Sequence, residues 1–196
     1  MLKIGITGGI GSGKSTIAKI FEILGIPVYY TDYEAKKMMN TDADLKHQIQ
    51  AAFGNDAYVN GELNRSYLSS VVFNDAEKLQ LLNSIVHPAT ITAAEKWMQQ
   101  QHAPYTLKEA ALIFESGAQQ HLDYVIGVFA PVSLRIQRVM QRDKITREEV
   151  MARMTKQIDE TVKMRLCDYV IKNDELELVI PQVIELHKQL LSLTQK

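Results

Sequence analysis

Short apolar runs alternate along this chain with longer stretches whose apolar residues recur every three or four positions, a pattern of buried strands joined by amphipathic helices. Leu2-Lys3-Ile4-Gly5-Ile6-Thr7 reads as the first strand. Beyond a glycine-rich turn, Ile17, Ile20, Phe21 and Leu24 fall at helical spacing, and Gly25 supplies the stop. Residues 26–30 predict a second strand that runs into Thr31-Asp32-Tyr33-Glu34 and a helix over 33–40. From Thr41 to Gln101 the strand signal vanishes. Thr41-Asp42-Ala43-Asp44 has the form of a capping box opening a helix that Gly54 ends. Further helices are predicted over 66–72 and 75–86, His87-Pro88 breaks the run, and another helix reaches Gln100. Strand character returns at 107–114, ending in Glu115, and again at 124–130 and 168–173. An amphipathic helix over 180–193, with Pro181 near its start, follows the last strand.

Strands separated in this way by helical segments imply an α/β fold, a five-stranded parallel sheet flanked by helices. The helical stretch between the second and third strands, about sixty residues, exceeds a single crossover helix and predicts an inserted subdomain that forms a second-substrate pocket. The expected division is a core of residues 1–32, 104–134 and 166–196, a helical acceptor subdomain over 33–103, and a lid over 135–165.

The hydrophobic fraction of 46% and charged fraction of 23% are those of an ordinary globular protein. A net charge of −1 removes the global field that would draw nucleic acid or an anionic membrane. Cys167 stands alone, so no internal disulfide is expected; without a nearby base to activate it, it reads as a packing residue in a reducing compartment. The chain enters its first strand with no charged-then-apolar leader, and no apolar run approaches membrane-spanning length. A cytoplasmic monomer is expected. The histidines lack metal-ligand spacing, so any metal is expected to arrive with a ligand, as Mg²⁺.

One stretch changes the picture most. Gly8-Gly9-Ile10-Gly11-Ser12-Gly13-Lys14-Ser15 fits G-x-x-x-x-G-K-[ST] at every fixed position, with a strand before it and a helix after it. A triphosphate is well held by backbone N–H groups at a helix N-terminus. The glycines at 8, 9, 11 and 13 are expected to supply positive φ and close backbone approach. Lys14 is expected to reach the β- and γ-phosphates and Ser15 to sit on Mg²⁺, with Gly9, Gly11, Ser12, Gly13 and Thr16 completing the cradle. A strand-to-helix turn that binds nothing is the bland alternative; the agreement of strand, loop and helix argues against it.

Ligands of open parallel sheets bind beyond the carboxyl ends of the strands. Asp32 lies at such an end, where it either accepts a proton or orients Mg²⁺ through water, or else caps the following helix. Glu115 either holds a Mg²⁺-bound water or substrate, or caps a short helix over 116–120. Arg65 is a partner for an anionic substrate group or a solvated surface residue, and His87 points into a cleft or is a satisfied helix-end histidine. Asn173, at the end of the fifth strand, reads an adenine edge or makes a turn.

Residues 133–165 hold nine basic residues against five acids, with Arg135, Arg138 and Arg142 on one helix face. Thr146-Arg147-Glu148-Glu149 is a capping box that starts a second helix. Two helices with a basic face and a short hinge describe a lid over phosphates, against the plainer alternative of exposed helices laced by ion pairs.

Together these residues resemble the dephospho-coenzyme A kinase family over nearly the whole chain. The resemblance is carried by residues 4–15, by Asp32-Tyr33-Glu34, by Gly61-Glu62-Leu63-Asn64-Arg65 and by Leu82-Asn83-Ser84-Ile85-Val86-His87-Pro88. Leu112-Ile113-Phe114-Glu115, then Arg138, Arg142, Asp143 and Gln157, and the strand at 168–173 complete it. Glu34 stands where the family has Asp, Ala111 where proline is usual, Arg135 for a glutamine and Cys167 for an alanine; apart from Glu34, these departures are expected to touch packing or periphery. The resemblance implies transfer of the ATP γ-phosphate to the 3′-hydroxyl of dephospho-coenzyme A, the last step of coenzyme A biosynthesis. It makes Asp32 the general base, Lys14 and Arg142 the stabilisers of the transferring group, and Arg65, His87 and Glu115 substrate residues. Rivals are a kinase of the same fold acting on a nucleoside monophosphate or shikimate, a nucleotide-dependent switch, and a nucleic-acid ATPase. The long insertion opposes the first, the order Lys172-Asn173-Asp174 the second, and the neutral charge the third.

Overall fold

Ile4 and Ile6 of β1 (Leu2–Thr7) are fully buried at the centre of a parallel sheet, in a computed structural model that describes residues 1–73 and 75–194. Asn74, within the expected insertion, and residues 195–196 of the expected core lie outside the described residues. After β1 come α1 (Lys14–Ile23), β2 (Val28–Tyr30), α2 (Thr31–Thr41), α3 (Ala43–Phe53), β3 (Tyr58–Val59) and β4 (Glu62–Leu63). They are followed by α4 (Arg65–Phe73), α5 (Ala76–Gln99), β5 (Tyr105–Glu109), β6 (Tyr124–Phe129) and α6 (Val132–Asp143). The chain continues through α7 (Arg147–Met154), α8 (Glu160–Arg165), β7 (Tyr169–Lys172) and α9 (Val179–Leu193). Contacts divide it into two units, Met1–Tyr30 with Gln100–Lys196, and Thr31–Gln99. Among the described residues no helix is long and apolar enough to cross a membrane.

In the first unit the five strands are parallel in the order β2-β5-β1-β6-β7, and Ile4 lies opposite Leu107 on one side and Tyr124 on the other. Phe21 of α1 and Val183 and Leu190 of α9 pack against Ile4, Tyr105 and Ile126. A sheet covered on both faces needs apolar residues at nearly every position, which is why its strands read as continuous runs rather than as alternation. The Tyr105 hydroxyl meets Nδ1 of His187 at 2.6 Å; burial raises the phenol's pKa and lowers that of the imidazole. At the outer strand, the Gln182 side chain accepts the Lys172 N–H at 2.9 Å and donates to the Lys172 carbonyl at 3.0 Å. A small separate core joins Ile136 and Val139 of α6 to Val150 of α7, with Ile10 packed against it.

The third strand departs from the sequence expectation. It spans Tyr105–Glu109, and residues 110–117 leave the sheet in turns, so Glu115 is not a strand-end residue. Ala110 and Ala111 have little strand propensity, whereas Tyr105, Thr106 and Leu107 have much, and their register with Leu2, Lys3 and Ile4 fixes the strand. Nor does Glu115 cap a helix: the following 3₁₀ turn, Ala118–His121, starts after Gly117 in the left-handed region.

In the second unit Leu45, Ile49 and Phe53 of α3 pack with Ala57, Leu68 and Val86. The N-cap of α3 is Asp42, which accepts the Leu45 N–H, while Thr41 ends α2 and returns its hydroxyl to the Lys37 carbonyl. The helix expected over 33–40 begins at Thr31, so Asp32 sits inside its first turn and does not cap it. Asn60 and Gly61, both at positive φ, turn the β3–β4 hairpin. His87-Pro88 does not break a helix: α5 runs through it from Ala76 to Gln99. Proline deprives the Ser84 carbonyl of its usual donor, but α5 packs against α2, α3 and α4, and that packing outweighs the local penalty.

Candidate active site

The turn from β1 to α1 has the geometry of an anion cradle. Within it, positive φ is confined to Gly11 (82°) and Gly13 (90°); Gly8 and Gly9 are needed for space instead. A Cβ on Gly8 would stand 2.5 Å from the Val128 carbonyl, and one on Gly9 would collide with the Arg135 guanidinium. Gly13 is the N-cap of α1 and brings no side chain, so the first amides of the helix are left to face a ligand. Ser12 is fully buried and its hydroxyl has no protein partner.

Behind the cradle stands an acid that the sequence did not single out. Glu109, at the carboxyl end of β5 and 3% exposed, accepts the Ser15 hydroxyl at 3.0 Å, and the same oxygen lies 3.7 Å from Nζ of Lys14. The signal was present as an acid just before Ala110, but the apolar run 110–114 drew the strand end onward to Glu115. The Ser15 hydroxyl and Glu109 carboxylate are hard oxygen donors, which fits Mg²⁺ arriving with nucleotide oxygens and water; among the described residues no cluster of three His, Cys, Asp or Glu could hold a metal by itself.

The other sequence-predicted residues of this unit are found in several settings. Asn173 donates its amide to the Ser12 carbonyl at 2.8 Å, and its own carbonyl accepts from Arg138 at 3.2 Å. Arg142 is exposed and makes a bidentate pair with Asp143, at 2.7 and 3.1 Å, which Arg153 also joins. The Arg142 and Arg153 cations hold the Asp143 carboxyl below its usual range. Thr16 is exposed on α1. Glu115 accepts the Ile158 N–H at 3.1 Å and pairs with the fully buried Lys163 at 2.9 Å, so its carboxylate is engaged within the protein. The capping box at Thr146 and Glu149 is formed. Arg135, expected on the basic helix face and to touch packing or periphery, is a packing residue, buried against Ile10 of the cradle. Burial pushes the Cys167 thiol up to about 12, as suits a packing residue.

In the second unit Asp32 is exposed in the first turn of α2, where the helix dipole favours its negative charge. Arg65 opens α4 and borders an open hollow with Asn40, Glu62, Asn64 and Ser66. His87 is half-buried mid-helix, and burial lowers its pKa.

Comparison with known proteins matches residues 2–177 to the family model described as dephospho-CoA kinase. A dephospho-CoA kinase of Salinibacter ruber is 39% identical over 178 residues, 89% of each chain. Among solved structures, TT1252 from Thermus thermophilus superposes with a TM-score of 0.80 at 34% identity, covering 97% of this chain and 96% of that one. A dephospho-CoA kinase from Campylobacter jejuni gives 0.71 at 29% identity, covering 97% of both.

Proposed function

This chain belongs to the dephospho-CoA kinase family and is an ATP-dependent phosphotransferase, and we propose that it moves the γ-phosphoryl of ATP to the ribose 3′-hydroxyl of dephospho-CoA. The observation that carries the site assignment is the cluster of Lys14, Ser15 and Glu109 at the start of α1. The acceptor oxygen attacks the γ-phosphorus, the bond to the β–γ bridging oxygen breaks, and ADP leaves with that oxygen's electron pair. Asp32 takes the proton of the acceptor hydroxyl. Lys14 and Arg142 neutralise charge on the transferring group, and Arg142 comes pre-oriented by Asp143. Gly9, Gly11, Ser12, Gly13 and Thr16 contribute to the phosphate cradle, and Asn173 holds it through Ser12. Ser15 and Glu109 would hold Mg²⁺, which when bound offsets phosphate charge. Arg65 and His87 recognise the acceptor; Glu115 braces the segment around Ile158.

The test is ADP release from ATP and Mg²⁺ with and without dephospho-CoA, with the product weighed for one added phosphoryl group. Acceptor-dependent release of that product is expected. Release with shikimate or a nucleoside monophosphate and none with dephospho-CoA would overturn the proposal.

A further inference from the structure

Gly9 and Ile10 are gripped by side chains from outside the phosphate loop. Glu160 accepts the Gly9 N–H at 3.1 Å, Gln157 accepts the Ile10 N–H at 2.9 Å, and Nε of Arg135 donates to the Ile10 carbonyl at 3.1 Å. Arg135 and Glu160 form an ion pair, with Nη1 2.9 Å from the carboxylate and side chains only 3% and 11% exposed. The Ile10 side chain packs on Ile136, Val139 and Val150, so both its backbone and its side chain are tied to this region. Gly11 closes the contact, since a Cβ there would lie 2.5 Å from the Arg135 carbonyl.

Desolvation offsets much of the attraction within a buried ion pair, so this one is a weak source of net stability; what it can supply is a fixed geometry. The geometry it fixes is that of Gly9 and Ile10, immediately before Gly11. We infer that Arg135 and Glu160 are positioning residues for the phosphates of ATP: their buried pair sets the loop backbone in its anion-binding form before the nucleotide arrives. The inference rests on residues 8–16 being the ATP cradle. Neither side chain needs to touch the nucleotide; both act through the Gly9 and Ile10 backbone.

The experiment measures the Kd for ATP by calorimetry, KM for ATP and for dephospho-CoA, and thermal melting, all on the full chain. Glu160→Gln keeps an acceptor for Gly9 but strands the Arg135 charge, and Arg135→Gln strands the carboxylate. Each is expected to raise Kd and KM for ATP about tenfold, at temperatures where it is folded, with KM for dephospho-CoA within about twofold of the parent. The charge-balanced double variant is expected to bind ATP more tightly than either single variant. Arg135→Lys retains the charge and loses the fork that reaches both partners, so a rise of about threefold or more is expected; it also serves if a charge-stranding variant fails to fold. An ATP Kd within about twofold of the parent in the folded variants, with only melting lowered, would overturn the inference. Lys14→Ala separates the two levels. If it abolishes ATP binding while the folded Arg135 and Glu160 variants keep a Kd within about twofold of the parent, only the positioning role falls; if it leaves ATP binding intact, the assignment of the cradle falls as well.

Discussion

The Ser15 hydroxyl donates to Glu109 across 3.0 Å, and this one hydrogen bond joins the start of the first helix to the end of a neighbouring strand. Because the same carboxylate oxygen faces Lys14 at 3.7 Å, the loop's cation and its hydroxyl are both oriented by one buried acid.

Glu109→Gln keeps the shape and removes the charge. It is expected to lower kcat by about tenfold or more and to raise the Mg²⁺ concentration needed for half-maximal ADP release. A Mg²⁺ titration checks this, and an unchanged midpoint with kcat near the parent value would remove Glu109 from the metal's environment.

Asp32→Asn is expected to cost about two decades or more in kcat while the Kd for ATP stays nearly constant. Single-turnover transfer in a quenched-flow apparatus separates the cases. Loss of ATP binding with unchanged chemistry would assign Asp32 to holding metal.

Pro88→Ala restores a donor for the Ser84 carbonyl in the middle of α5. The gain is expected to be about 1–2 kcal/mol, less than the ~3 kcal/mol interior penalty because alanine also frees the unfolded chain. Urea denaturation reads it out, and a midpoint that stays put or falls would mean the helix is built around the ring.

Burial lowers the pKa of His187 beside Tyr105, and of His87 in the other unit. Below about pH 6.5 the unfolded chain therefore binds protons that the folded chain resists, and stability falls as pH drops toward the depressed folded values. The urea midpoint is expected to be lower at pH 5.5 than at 7.5. His187→Gln, which still offers Tyr105 a partner, should flatten that slope; an equal slope in the variant would clear His187 of the effect.

Strands and helices were legible where composition and packing agree. β1, the phosphate loop and α1 follow from a β-branched run, fixed glycines and helical spacing, and the Thr146 capping box is local chemistry that needs nothing distant. Legibility failed where tertiary contacts decide. The end of β5 is set by register with β1, so the local pattern points to Glu115 and not to Glu109. Pro88 carries an intrinsic helix penalty, which neighbouring helices override. Arg135, Gln157 and Glu160 looked like lid polarity, since nothing local shows that a glycine in the first turn leaves room for a guanidinium from over a hundred residues away.

Gln182, which bonds both the N–H and the carbonyl of Lys172, does at the outer edge of the sheet what an adjoining strand would do. A peptide segment from another molecule that tried to extend the sheet there would first have to displace a pairing already made within the chain. The opposite edge offers only the three residues of β2. Both borders of the sheet thus discourage the templated addition of foreign strands, which guards a parallel sheet during the slow assembly of its long-range pairings.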